Sequence, residues 1–276
     1  MTLVLHARSI KLVGVHNLRD LGGHVHPLGA VAWRQFWRSD SLHELGAEGV
    51  ENLIERGLRT VIDLRQDTEA AAQPNPFARH GNRVAYHNAP IFEGLDLSDP
   101  EIVDAPDPLL ALYKQALSER GPQFVAVMRL IAGAPAGAVL FHCTVGKDRT
   151  GMVAAMLLKL ANVSDADIIA DYAETGSHIG PVLTALRARA EANNWDVERL
   201  SRYWRSDAST MEQFLMHLEA DYGGVASYLT SAGLSSSDLA AISQRLTQPA
   251  PGQATPAQTI ARSTAVGGER DYPTEK

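Results

Sequence analysis

The chain has 276 residues, enough for one large domain or two small ones with an ample core. Its composition, 45% hydrophobic and 21% charged, is that of an ordinary globular protein, and a net charge of -7 argues against a nucleic-acid binder, which would carry a basic surplus. The single cysteine excludes an internal disulfide framework, so the fold must stand on its core.

Taken in order, Leu3-Val4-Leu5 is too short for a signal-peptide core and no apolar run approaches a membrane span, which makes a cytoplasmic location the default expectation. Asn17-Leu18-Arg19-Asp20-Leu21-Gly22-Gly23 ends in a glycine pair typical of a turn, and Arg19 and Asp20 read as a structural ion pair more than as substrate contacts. Residues 31–33 lead into 36–42 as strand and turn. Asp40 or Ser41 then starts a helix over 48–56 that stops at Gly57. A strand over 60–64 follows, with Arg65 at its end. Residues 67–83 suggest helix and loop, and 84–88 another strand, followed by Glu93 with Asp96 and Asp99 close behind. Helical spacing over 109–118 and 123–132, separated by Gly121-Pro122, predicts two helices flanking a sheet.

The segment 138–151 carries the chemistry. Ala138-Val139-Leu140-Phe141 reads as a buried strand, and the Ala/Leu/Met-rich run 152–161 as a helix, with a tight polar turn between them. In that turn Cys143 and Arg149 stand six positions apart, with Gly146 between them and Thr150 next. The consecutive N–H groups of Thr144, Val145, Gly146, Lys147, Asp148 and Arg149, curling into a helix N-terminus, make a cradle for a tetrahedral dianion. Gly146 lets the backbone turn, and the Arg149 fork can grip two phosphate oxygens at once. The same positive field favours a thiolate on Cys143 at the mouth of the ring of amides. A Walker-type loop is excluded, because Gly146-Lys147 is followed by Asp148 and the upstream glycine is missing. If the strands 60–64 and 138–142 share a parallel sheet, Asp63 and Arg65 finish on the same edge as Cys143, as site residues or as a loop-pinning salt bridge.

Beyond the central helix, Ser164 is a credible cap for a helix that includes 168–174, and 181–193 forms another with Arg187 and Arg189. Residues 195–205 interleave Trp195, Tyr203 and Trp204 with Arg199, Arg202 and Arg205; a helix packing its aromatics inward is favoured over a lid. Segments 211–222, 225–232 and 236–246 complete a helical C-terminal part. Residues 248–276, rich in Pro, Ala, Thr, Gln and Gly, read as a disordered tail after a single domain over 1–247. His24-x-His26 is the nearest approach to metal-ligand spacing, and no metal is expected.

The run from His142 to Gly151, HCTVGKDRTG, resembles the H-C-x5-R-[ST] signature of the protein-tyrosine-phosphatase superfamily. In its extended form it resembles the atypical bacterial tyrosine/lipid phosphatases with HCxxGKDRTG. The NLRDLGG, RSDSL, DLR and ADY elements are similar to the same group, so the resemblance covers about residues 17–246. The fold expected is α/β, a central largely parallel sheet flanked by helices with a helical C-terminal part. The resemblance implies cofactor-free hydrolysis of phosphate monoesters through a phosphocysteine. Cys143 would be the nucleophile, Arg149 the phosphate clamp, and Thr150 a hydrogen-bond donor to the departing thiolate, with His142 orienting the loop. It places a general acid at Asp148, with Glu93 as the alternative. The substrate expected is phosphotyrosine in proteins. Lys147, as a second positive charge facing the substrate, keeps phosphoinositides in view. A sulfur-transferase or arsenate-reductase-like enzyme and a non-catalytic phosphate-binding module are the rival readings. A monomer is the default, and leaderless secretion occurs among relatives.

Overall fold

The computed structural model describes residues 7–79, 81, 83–95 and 99–247; the expected tail 248–276, residues 3–5 and Asp96 lie outside these. In chain order the strands are β1 (Arg19–Asp20), β2 (Val25–His26), β3 (Gly29–Ala30), β4 (Phe36–Ser39), β5 (Leu58–Asp63), β6 (Ala85–Asn88) and β7 (Ala138–His142). Around them run α1 (Ala47–Glu55), α2 (Asp67–Ala72), α3 (Pro100–Val103), α4 (Pro108–Glu119), α5 (Gly121–Ala132), α6 (Asp148–Leu160) and α7 (Asp165–His178). After these come α8 (Gly180–Ala192), α9 (Val197–Ser201), α10 (Ala208–Tyr222), α11 (Val225–Ser231) and α12 (Ser236–Thr247).

The main sheet has the order β1-β4-β7-β5-β6; β4, β7, β5 and β6 are parallel, and β1 closes one edge antiparallel to β4. The fold is thus the expected α/β sheet flanked by helices. Alternation along β7 divides the core in two. Val139 and Phe141 join the cluster made with α4, α5, α6 and α10, while Ala138 and Leu140 join Trp37, Leu53 and Phe77 on the α1 side. Helix α6 is buried at every position from Thr150 to Leu158, so it is apolar all round, as a helix covered on several sides must be.

Three local expectations are corrected. Residues 31–33 are not a strand: Ala32 donates its N–H to Leu246 O (2.8 Å), and Arg34 turns the chain with φ 59° before β4 starts. Helix α1 begins after Gly46 without a side-chain cap, because the Asp40 carboxylate accepts the amides of His16 and Asn17 instead. Arg19 and Asp20 do not pair with each other, since neighbours on a strand point to opposite faces. Asp20 accepts from Gly22 N, Arg34 N and Trp37 Nε1, whereas Arg19 reaches Asp171 on α7. Among the described residues no helix is long and apolar enough to cross a membrane.

Candidate active site

The parallel register sets Ser39, His142, Asp63 and Asn88 side by side at the carboxyl end of the sheet. The loop 143–147 leaves from the middle of that row, and its shape follows from where its carbonyls point. His142 Nδ1 lies 3.1 Å from Cys143 O, Ser41 N donates to Thr144 O (3.0 Å), and Asn17 Nδ2 donates to Val145 O and Gly146 O (3.1 Å each). Arg38 Nη2 adds a bond to Gly146 O at 2.9 Å. In a trans peptide the N–H of the next residue points opposite to each carbonyl. Four carbonyls held outward therefore turn the amides of Thr144, Val145, Gly146 and Lys147 inward, and α6 adds its own N-terminus. Gly146 is required twice over: its φ is 72°, and a Cβ there would lie 2.4 Å from Ser39 O.

Cys143 does not stand at the mouth of this ring: it directly follows the last residue of β7, 2% of its surface is exposed, and it belongs to the main hydrophobic cluster with Phe141, Met152 and Val153. It lies near enough to Arg149 to interact with it electrostatically. Burial works against the Arg149 charge and is outweighed by electrostatic coupling to Cys143 and by the bonds and charge of Glu69, so the guanidinium pKa moves up. Glu69, on α2, accepts Arg149 Nη1 at 2.5 Å and Nη2 at 3.1 Å, and the Thr144 hydroxyl at 2.5 Å. Its burial opposes the charge, but Arg149 prevails and holds the carboxyl down at about 2. The Phe92 ring lies 5.4 Å from the Arg149 guanidinium carbon.

Asp148 and Lys147 are joined to each other. Lys147 is buried and its Nζ donates to Asp148 Oδ1 at 2.6 Å, so the ammonium expected to face a substrate turns into the protein instead. The Tyr113 hydroxyl donates to the same oxygen at 2.6 Å. The Thr150 hydroxyl is buried and unpaired among the described residues.

Behind the loop, Asp171 gathers Arg19 (Nε, 3.2 Å) and Arg38 (Nη1, 2.6 Å), and these two arginines outweigh its burial and hold its carboxyl well below the usual range. Asp63 and Arg65 grip one another through Nε–Oδ1 at 2.9 Å and Nη2–Oδ2 at 2.6 Å, both fully buried, with Arg65 Nη1 donating to Ser41 Oγ. They stand on the expected edge, as a salt bridge under the loop. Asn75 Nδ2 lies 2.8 Å from His142 Nε2, and burial pushes the His142 pKa down; a neutral ring with its proton on Nδ1 satisfies both contacts.

Among the described residues no hydrogen bond or ion pair joins Glu93 to the loop; it is exposed and lines a depression with Asn88, Gln123, Arg129 and Leu130. Beside Thr144 lies a cavity of ≈ 170 Å³, walled by His16, His43 and, from α8, Val182 and Leu186. Trp195 and Trp204 stack on Arg189 and Arg187 of that helix, and Trp195 stays 51% exposed, so of the aromatics in 195–205 expected to pack inward Tyr203 meets the core and Trp195 does not. Sequence reasoning missed Glu69, Phe92 and Tyr113. The one available signal for Glu69 was its place three residues after Gln66, as the return half of a capping box just past β5.

The sequence profile of the tyrosine phosphatase family matches residues 10–248. A tyrosine-protein phosphatase from Nostoc commune is 34% identical over 220 residues, covering 77% of this chain and 74% of that protein. The triple specificity protein phosphatase PtpB of Mycobacterium tuberculosis is 26% identical over 268 residues, covering 82% and 94%. Among solved structures, P. aeruginosa TpbA is 18% identical, with a TM-score of 0.30 over 66% of this chain and 96% of that one. With the family profile spanning this loop, the sheet that carries it and the C-terminal helices, the chain belongs to the tyrosine phosphatase family of hydrolases.

Proposed function

We propose that the chain hydrolyses phosphotyrosine in proteins through a phosphocysteine formed on Cys143, within one domain over residues 1–247. The observation that carries this reading is the set of four hydrogen-bonded carbonyls at 143–146, which turns the four following amides to the opposite side of the loop beginning at Cys143. In the first step the Cys143 thiolate forms the S–P bond as the P–O bond to the leaving group breaks, and Asp148 gives its proton to that oxygen. Water then attacks phosphorus, Asp148 takes its proton, and the S–P bond breaks to release phosphate and the thiolate. Arg149 and the amides of residues 144–149 stabilise the equatorial oxygens in both steps. Thr150, with its free hydroxyl, is the donor available to the departing sulfur.

Lys147 is tied to Asp148 and lends little to a second phosphate, which places phosphoinositides after phosphotyrosine. The test is aryl phosphate hydrolysis in chelator, followed by a panel of phosphopeptides and phosphoinositides. Cys143→Ser should abolish turnover while retaining phosphate binding; turnover surviving that change would sink the proposal, and a lipid preference in the panel would reverse the substrate order.

A further inference from the structure

Asp148 presents its two oxygens to different surroundings. Oδ1 accepts both Lys147 Nζ and the Tyr113 hydroxyl, each at 2.6 Å, whereas no bond to Oδ2 exists among the described residues and the side chain is 21% exposed. Tyr113 comes from the middle of α4, is fully buried, and packs edge-on against Phe214 with ring centroids 5.8 Å apart. Its hydroxyl also lies 2.9 Å from that of Tyr172 on α7. Tyr113 has one proton and gives it to Asp148, so Tyr172 must donate to the Tyr113 oxygen. Burial first, and the Asp148 charge next, push the Tyr113 phenol upward, and burial leads the same shift at Tyr172, so both keep their protons at any working pH. The Tyr172 ring rests on Gly151, where a Cβ would stand 2.9 Å from Cδ2; the last glycine of the HCTVGKDRTG run is what admits it.

We infer that Tyr113, backed by Tyr172, is a positioning residue that fixes Oδ1 of Asp148 so that Oδ2 alone carries the proton to and from the reacting oxygens. The inference rests on the acid role of Asp148 given above. The carboxyl plane is then set by Tyr113 of α4 and Tyr172 of α7 together with Lys147 of the loop. Proton transfer matters most when the leaving group is a poor one, so a misdirected carboxyl shows itself through the choice of substrate.

The experiment measures kcat and KM for wild type, Asp148→Asn, Tyr113→Phe and Tyr172→Phe on aryl phosphates of graded leaving-group acidity and on one alkyl phosphate, with thermal melting as a control. Loss of one hydrogen bond to a charged group predicts about a 10-fold or greater fall in kcat for Tyr113→Phe on the alkyl ester, at unchanged KM. The loss on the most acidic phenol should be much smaller. Tyr172→Phe should tilt the profile in the same sense, less steeply, and carries the test if Tyr113→Phe does not fold. A steep Asp148→Asn profile beside flat tyrosine profiles overturns the role of Tyr113 alone. A flat Asp148→Asn profile overturns the acid assignment, and this inference with it.

Discussion

Glu69 gives the sharpest measurable consequence of the site's electrostatics. Its carboxylate takes both terminal nitrogens of Arg149, the Thr144 hydroxyl and the Gln66 amide (3.0 Å), and its pKa falls from 4.5 to about 2. A fall of that size corresponds to about 3 kcal/mol of preference for the ionised form. With 31% of the side chain in solvent, screening reduces the usable part to about 1–2 kcal/mol. A carboxyl with a depressed folded-state pKa contributes this stability fully above about pH 4.5 and loses it as pH falls toward 2. Glu69→Gln, which keeps the shape and removes the charge, should therefore lower unfolding free energy by about 1–2 kcal/mol at pH 7. The gap to wild type should narrow steadily below pH 4.5. Urea denaturation of both proteins at pH 7, 5, 4 and 3.5 measures it. A gap that stays constant across that range would refute the electrostatic account and leave Glu69 as a packing residue.

Arg149→Lys should nearly abolish turnover in a steady-state aryl phosphate assay, because a point charge cannot replace a fork set by Glu69. Gly146→Ala forces a Cβ against Ser39 O in a left-handed backbone, costing about 1–2 kcal/mol before the clash is counted, and should abolish phosphate binding as well as lower Tm. Asp171→Asn leaves Arg19 and Arg38 buried without a counter-charge and should cost about 3–5 kcal/mol, read as a shift in the urea midpoint. Truncation after Gln248 should change neither activity nor melting, since it spares Leu246, whose carbonyl accepts the Ala32 amide. A large loss would show that residues beyond 248 fold onto the body.

The phosphate loop was legible because its chemistry is contiguous: Cys143, Gly146, Arg149 and Thr150 sit within eight residues where an apolar strand passes into a helix, although α6 starts at Asp148 and not at the expected 152. The sheet edge was legible too, since short runs rich in branched and aromatic residues marked β5 and β7. What escaped is what depends on direction or distance. Lys147 caps α6 with ψ at -72°, and nothing in the letters tells whether its ammonium points to substrate or to Asp148. Glu69 and Tyr113 meet the loop from helices that are remote in sequence, and each looks like an ordinary helical residue in its own segment. The Arg19-Asp20 pair misled because adjacency on paper is opposition on a strand.

The outward-held carbonyls have a bearing on how the protein comes into being. Asn17 reaches Val145 across 128 positions of chain, and Arg19 reaches Asp171 across 152, so the ring of amides is stitched by some of the most distant contacts in the molecule. Contacts of such separation form late and slowly. A nascent polypeptide gains the Asp171 anchor of Arg19 and Arg38 only once α7 has been synthesised and docked, so recovery of phosphate binding during refolding would report on a late stage of folding.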